Sequence, residues 1–249
     1  MNDRQTVLVQ MLSQKESITV TELSQALDSS LMTIRRDLDF LEEQGIVKRF
    51  HGGAKLATNG QPSFYKKASE ISDEKKRLGA AAAKLISQGS IVFFDAGTSV
   101  LAIAEFIPKD LEFTAVTTGL LMAAALCDKP KINLIYSGGE VHHASYSSVG
   151  YIAVSNVKNY HADMAFISTN SISIPEGISE TYLSRIEIKR AIVEAADRVV
   201  LLVDSSKFLN RSLQQSIDMR QIHVLITDEQ LDSEQMQILN LMGIQVIIA

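Results

Sequence analysis

Several things are missing from this chain of 249 residues, and each absence removes a class of protein. Cys127 is the only cysteine, so no disulfide can form within the chain and a disulfide-stapled scaffold is excluded. Its apolar neighbours Ala125 and Leu126 predict a buried structural thiol rather than a nucleophile. No apolar run approaches the ~20 residues that a membrane-spanning helix needs. The runs at residues 91–94 and 199–203 fall far short of that length. The opening Met-Asn-Asp-Arg-Gln has no apolar stretch and no small-residue cleavage site of a signal peptide, so a cytoplasmic protein is expected. His51, His142, His143, His161 and His223 show none of the Cys and His spacing of zinc sites, so neither a metal nor a cofactor is expected. Excess positive charge is absent too. The formal net charge is −5, which by itself weighs against nucleic acid as a partner.

The distribution of charge matters more than its sum. Residues 1–57 hold seven Lys or Arg against eight Asp or Glu, yet the cations bunch at Arg35, Arg36, Lys48, Arg49 and Lys55. A local basic surface can exist on an acidic protein. Val7, Leu8, Met11 and Leu12 recur at helical spacing, and a second helix is expected from Thr21, whose hydroxyl can cap its first turn. Asp28, Ser29 and Ser30 form a short polar connection, and either serine can cap a third helix that begins near Leu31. Two short helices joined in this way outline a helix-turn-helix.

On the third helix, Leu31, Ile34, Leu38 and Leu41 fall on one stripe while Met32, Thr33 and Arg36 project from the opposite side. That arrangement suits a recognition helix, with Arg36 reaching base edges and Arg35, on the flank, reaching phosphate. Asp37, Asp39, Glu42 and Glu43 would repel phosphates, so the far half of the helix is expected to tilt away from DNA. Gly45 is expected to end the helix in a left-handed cap. The segment from Ile46 through Lys48, Arg49, Phe50 and His51 to Gly52-Gly53 then alternates and turns as a β ribbon, a wing whose cations lie along the duplex backbone. The expected DNA contacts are Thr21, Ser29, Ser30, Met32, Thr33, Arg35, Arg36, Lys48, Arg49 and His51.

Residues 1–57 thus form one domain, the polar, Gly60- and Pro62-interrupted stretch 58–72 a linker, and residues 73–249 a second domain. From Ser90 onward short apolar runs alternate with helical stretches, the pattern of a mostly parallel sheet covered on both faces. The fold class is α/β, with a small winged helix-turn-helix ahead of a larger Rossmann-like domain. Small molecules bind such sheets beyond the carboxyl ends of the strands. Four polar loops are expected there. They are Asp95-Ala96-Gly97-Thr98-Ser99, Thr117-Thr118-Gly119, Ser137-Gly138-Gly139-Glu140 and Asp204-Ser205-Ser206-Lys207, and the first enters a helix whose free N–H groups suit an anion. Lys189 rides a helix expected over residues 182–196. His142, beside the Gly-Gly turn, is a further candidate. The candidate effector ligands are Asp95, Gly97, Thr98, Ser99, Thr118, Gly138, Gly139, Glu140, His142, Lys189, Asp204 and Lys207.

The run Met32-Thr33-Ile34-Arg35-Arg36-Asp37-Leu38, then Leu41-Glu42-Glu43-Gln44-Gly45, then His51-Gly52-Gly53-Ala54, resembles the N-terminal signature of the DeoR family of bacterial repressors. One departure is Asp28, where that family usually has Gly; Asp tolerates left-handed geometry. The second domain resembles the family at Asp95, Gly97 and Thr98, at Gly138-Gly139-Glu140, at Lys189-Arg190-Ala191 and at Asp204-Ser205-Ser206-Lys207-Phe208. It departs at His142-His143, where the family often has an Arg, and at Ser168-Thr169-Asn170-Ser171, where a Gly-rich strand end is usual. The resemblance implies a sensor domain similar to ribose-5-phosphate isomerase, a phosphorylated sugar as effector, double-stranded operator DNA as partner, and repression relieved by effector. A dimer or tetramer is expected, because a single winged domain buries little surface on DNA. The rival reading is an isomerase-like enzyme fused to a DNA-binding module, with Lys207 stabilising an oxyanion. Ile188 stands directly before Lys189 where the isomerase has its Glu, and Glu187 points ~100° away, so no catalytic residue is expected.

Overall fold

A computed structural model of the chain describes residues 3–14, 17–43, 47–56, 68, 71–180, 182–208 and 214–249. It divides into two compact units, Met1–Ser69 and Glu70–Ala249. Gly45 and all of the expected linker except residues 68, 71 and 72 lie outside the described residues.

The first unit comprises helix α1 (Asp3–Gln14), strand β1 (Ile18–Thr19), helices α2 (Val20–Ala26) and α3 (Leu31–Glu43), and strands β2 (Val47–Phe50) and β3 (Gly53–Leu56). Its strands pair antiparallel in the order β1-β3-β2. Leu8, Leu12, Leu23, Ile34, Leu38 and Leu41 form the core with Ile18, Val20, Val47 and Ala54. Helix α2 starts one residue before Thr21, and its cap is Thr19. The Thr19 hydroxyl accepts from the Glu22 amide at 3.2 Å while the Glu22 carboxylate accepts from the Thr19 amide at 2.8 Å. Such a reciprocal cap is worth about 1 kcal/mol. Asp28 takes the left-handed conformation at φ 43°, and Ser30 caps α3 by accepting from the Thr33 amide at 3.1 Å.

The inner stripe of α3 differs from expectation at its start. Leu31 is 45% exposed, and the fourth buried position belongs to Asp37. Burial of that carboxylate is possible because α1 supplies two donors: Arg4 Nε lies 2.5 Å and Gln5 Nε2 3.0 Å from its oxygens. In the wing, Gly52 stands at φ 88°, and a Cβ on Gly53 would come 2.6 Å from the Ile18 carbonyl oxygen, so both glycines are required.

The second unit is built on a seven-stranded parallel sheet. Its strands are β4 (Ile91–Phe94), β5 (Phe113–Thr117), β6 (Ile132–Tyr136), β9 (Ala162–Ser168), β12 (Ala196–Leu202), β14 (Val224–Thr227) and β15 (Gln245–Ile248), in the spatial order β15-β14-β12-β9-β4-β5-β6. The chain runs outward from β4 to β6, then returns to β9 and runs outward the other way. The order therefore reverses between β4 and β9, which is where a crevice opens in such sheets. Neighbouring side chains enter opposite layers: Phe93, Ala165, Ile167 and Leu201 pack on one face, and Phe94, Phe166, Val200 and Leu202 on the other. The central strands are consequently apolar over their buried stretches, as at Val92–Phe94 and Val199–Leu202, and each large side chain so buried contributes roughly 1.5–3 kcal/mol.

The covering helices are α4 (Asp73–Ala83), α7 (Leu120–Cys127), α8 (Gly150–Lys158), α9 (Leu183–Glu194) and α10 (Ser233–Leu241). The helix expected after Asp95 is instead two single turns, α5 (Thr98–Leu101) and α6 (Ile103–Phe106). Cys127 is exposed, contrary to expectation. It ends α7 one position beyond the buried Leu126, and a turn of ~100° carries it to the outer face. Two further features carry no clear period in the sequence: a hairpin of β7 (Glu140–His142) with β8 (Ser147–Val149), and a small sheet of β10 (Ile172–Ser173), β11 (Gly177–Glu180) and β13 (Gln214–Asp218). No helix among the described residues is long and apolar enough to cross a membrane.

Candidate functional site

Among the described residues, helix α3 and the ribbon carry the exposed cations of the first unit. Met32 is 60% exposed, and Arg35, Arg36, Lys48 and His51 all face solvent. Thr21, Arg35, Arg49 and His51 line one cleft of about 480 Å³ with Val20, Leu31, Phe50 and Gly52. The exposed Leu31 is thereby explained as a wall of that cleft. Ser30 and Thr33 sit at the start of α3 with their hydroxyls 2.8 Å apart. Ser29 is occupied in the turn, where its hydroxyl donates to the Leu27 carbonyl at 3.0 Å. Arg49 differs from the other cations. Its guanidinium pairs with Asp39, and its amide donates to Glu42 at 2.8 Å, so it ties the ribbon to α3.

In the second unit all strands of the large sheet run the same way, so the four polar loops share the carboxyl edge. At the reversal point Asp95 follows β4 and Ser168 ends β9. A Cβ on Gly97 would meet Ser168 Oγ at 1.9 Å, so Gly97 permits the close approach of these two strand ends. Lys189 of α9 is wholly buried there. Its ammonium bonds the Asp95 carboxylate, donates to the Ser168 carbonyl at 2.6 Å, and lies 3.6 Å from Glu180 Oε1. Glu180 in turn pairs with Arg185 at 3.2 Å. Breaking one member of such a buried network typically costs ~3–5 kcal/mol. The single turn α5 carries little macrodipole, which weakens the expected helix-terminus anion site at Thr98 and Ser99.

Thr118 is 1% exposed, and its hydroxyl has no hydrogen-bond partner among the described residues. Gly138 and Gly139, at φ 65° and 106°, turn the chain into the β7 and β8 hairpin. That hairpin is pinned over the edge by the Ser148 amide, which donates to the Thr118 carbonyl at 2.7 Å. Glu140 is exposed and lies over Gly150 rather than over the strand ends. His142 is held by Ser145, 2.7 Å from its Nδ1, and its ring packs against Tyr182 with centroids 4.7 Å apart. Burial, reinforced by Arg185, holds the His142 imidazole below its ordinary value and keeps it neutral.

Asp204 and Lys207 sit past β12, one strand beyond β9. Lys207 Nζ is 2.9 Å from Ser206 Oγ and 3.7 Å from Asp204 Oδ1. Lys75 of α4 belongs to the same charged group: burial lowers its ammonium value, Asp204 opposes that shift and Lys207 adds to it. The sequence reading passed over Lys75, Glu180, Tyr182 and Arg185. One signal was present, since Arg185 and Lys189, four apart on a helix, lie near the face that buries Ile192, and a buried lysine demands carboxylates.

Two family models match the chain: a DeoR-like helix-turn-helix domain over residues 4–59, and a DeoR C terminal sensor domain over residues 70–229. A protein of Escherichia coli O157:H7 whose name assigns it to repression of the aga operon is 33% identical, covering 99% of this chain and 93% of its own. The transcriptional regulator GolR of Listeria innocua is 32% identical over 92% of this chain and 91% of its own. The transcriptional repressor GlcR of Bacillus subtilis is 31% identical over 99% and 95%. A solved structure of ribose 5-phosphate isomerase A from Methanocaldococcus jannaschii covers 55% of this chain and 54% of that chain at 15% identity and a TM-score of 0.42, a likeness that decides neither fold nor chemistry.

Proposed function

From the premise that this chain belongs to the DeoR family and is a DNA-binding transcriptional regulator, we propose that it represses a sugar-metabolism operon and releases its operator when a phosphorylated sugar binds the sensor unit. The observation that carries this reading is the alignment of the polar loops after β4, β5, β6 and β12 on one carboxyl edge, with buried hydroxyls and paired charges at the reversal point. Its relatives' names support the sugar class, through the aga operon. Arg36, Met32 and Thr33 read bases, and Arg35, Lys48 and His51, with Thr21 and Ser30, hold phosphates. Arg49 acts at one remove, by fixing the ribbon. Asp95, Gly97, Thr98, Ser99, Thr118, Gly138, Gly139 and His142 shape the effector site, with Lys189 positioning Asp95, and Lys207 with Asp204 lies at its phosphate end.

The protein works in the cytoplasm as a homo-oligomer, because paired wings are needed for specific affinity. Catalysis is not part of the reading. Lys189 is buried between two carboxylates, and Glu187 faces outward from α9.

The test is fluorescence anisotropy on a DNA fragment selected from random sequence by the protein itself, titrated with a panel of sugar phosphates. At least one member should weaken DNA binding by roughly 5- to 150-fold, the usual size of allosteric coupling. In Lys207→Ala that response should shrink while DNA binding without effector stays intact. A panel that leaves DNA affinity unchanged in the wild type would overturn the effector assignment.

A further inference from the structure

The contacts around the reversal point close into a ring. Lys189 bonds Asp95 and stands 3.6 Å from Glu180 Oε1, which lies 3.2 Å from Arg185 Nη2. Arg185 is an electrostatic neighbour of His142, whose Nδ1 is 2.7 Å from Ser145 Oγ, itself 2.7 Å from Ser147 Oγ. Ser147 bridges Gly119, and the Thr118 amide returns to the Phe94 carbonyl at 3.4 Å, one residue before Asp95.

Two properties of this ring point to a ligand. Its formal charges cancel, Asp95 and Glu180 against Lys189 and Arg185, so it offers no net attraction to a phosphate. Among the described residues one of its oxygens, Thr118 Oγ1, is buried with no partner at all, and a second, Glu180 Oε1, is buried and held only by the two ion pairs, with no contact of hydrogen-bond geometry. Buried polar atoms without partners are uncommon, and a hydroxylated ligand would supply what each lacks. Arg185 has Glu180 as its one ion-pair partner among the described residues, and a guanidinium with five N–H groups has donors to spare beyond that pair.

We propose that this ring reads the hydroxyl chain of the effector. Glu180 Oε1 accepts from one hydroxyl, Thr118 Oγ1 exchanges a hydrogen bond with a second, and Arg185 donates to the hydroxyl oxygens from the opposite side. Glu180 and Arg185 are then the residues that set which sugar is bound, while the anionic group lies toward Lys207 and Lys75. The proposal rests on the sugar-phosphate reading above and adds to it the residues that discriminate among sugars.

The experiment is calorimetric titration of the full chain with ribose 5-phosphate, glucose 6-phosphate, fructose 6-phosphate and sorbitol 6-phosphate. Three proteins are compared: wild type, Thr118→Val, and the charge-balanced double variant Glu180→Gln with Arg185→Gln. Thr118→Val removes only an unpartnered hydroxyl, so its melting temperature without ligand should equal or exceed that of the wild type. Its affinity for the sugar phosphate that the wild type binds best should fall about tenfold, and that of the double variant roughly 10- to 100-fold. If the double variant fails to fold, Thr118→Val alone decides. Wild-type binding with unchanged affinity in Thr118→Val overturns the ring's role and leaves the sugar-phosphate reading standing. Failure of the wild type to bind any of the four overturns both.

Discussion

In the DNA-binding unit the carboxylate is inside and the cations are outside: Asp37 is buried against α1 while Arg35, Arg36 and Lys48 face solvent. The sensor unit reverses this placement, with Lys189 buried between Asp95 and Glu180 and Arg185 beside them. Cations without partners attract a polyanion at a distance and release its counterions on contact, so their effect depends on salt. Cations already neutralised by buried carboxylates attract nothing from afar. They orient hydrogen-bonding groups for a ligand that arrives for other reasons, and salt screens them little. One chain thus holds two recognition surfaces that answer to different solution variables.

The strongest way to break this comparison is to remove the buried cation. Lys189→Met leaves Asp95 and Glu180 facing each other in the interior and should destabilise the sensor unit by ~3–5 kcal/mol in denaturant unfolding. Arg36→Ala, by contrast, should leave stability within about 0.5 kcal/mol. Equal stability of the two variants would erase the distinction. On DNA the order reverses. Arg36→Ala should cost ~1–3 kcal/mol of operator affinity and relax sequence preference, while Lys48→Ala should weaken all sequences alike and lower the salt slope by about 1. An Arg36 variant that kept its sequence preference would remove α3 from the role of reader.

The smallest expected effect sharpens the comparison through pH. The folded His142 imidazole sits below its ordinary value, mainly by burial and then by repulsion from Arg185 and His143, with Glu180 acting against them. The unfolded chain therefore takes up that proton first as pH falls. The contribution of His142 is complete above about pH 6.5 and is lost as pH drops below that value toward the folded one. The melting temperature of the sensor unit should fall as pH drops below about 6.5, and His142→Gln should flatten that fall. Identical profiles for the two proteins would show that His142 does not sense the interior.

The sequence disclosed much of this because most elements obey one local rule. Unbroken apolar runs such as Val92–Phe94 are buried on both faces, and parallel strands collect their polar loops on one edge whatever the strand order. Asp37 and Cys127 show where the local rule fails. A helical wheel places Leu31 within the stripe and Asp37 on its flank, where a carboxylate would be expected to turn to water, but Arg4 and Gln5, more than thirty positions away, provide the donors that let Asp37 be buried. The same holds at the proposed effector site. Lys189 and Asp95 were visible as polar residues near strand ends, yet Glu180 and Arg185 belong to the site only because β11 and the start of α9 fold back beside β9 and β4, a pairing that no periodicity encodes.

Arg49 has a consequence of its own. Its side chain is clamped to Asp39 and its main chain to Glu42, two acceptors on successive turns of the proposed recognition helix. Ribbon and helix therefore behave as the two jaws of a caliper held at one setting by a part-exposed ion pair and a hydrogen bond, each worth about 1 kcal/mol. The gap between a base contact made by one and a phosphate contact made by the other is set before DNA arrives, and little ordering entropy is spent on adjusting it. Any signal that loosens DNA must then shift both jaws together, since opening one alone would require stripping Arg49 from both acceptors at once.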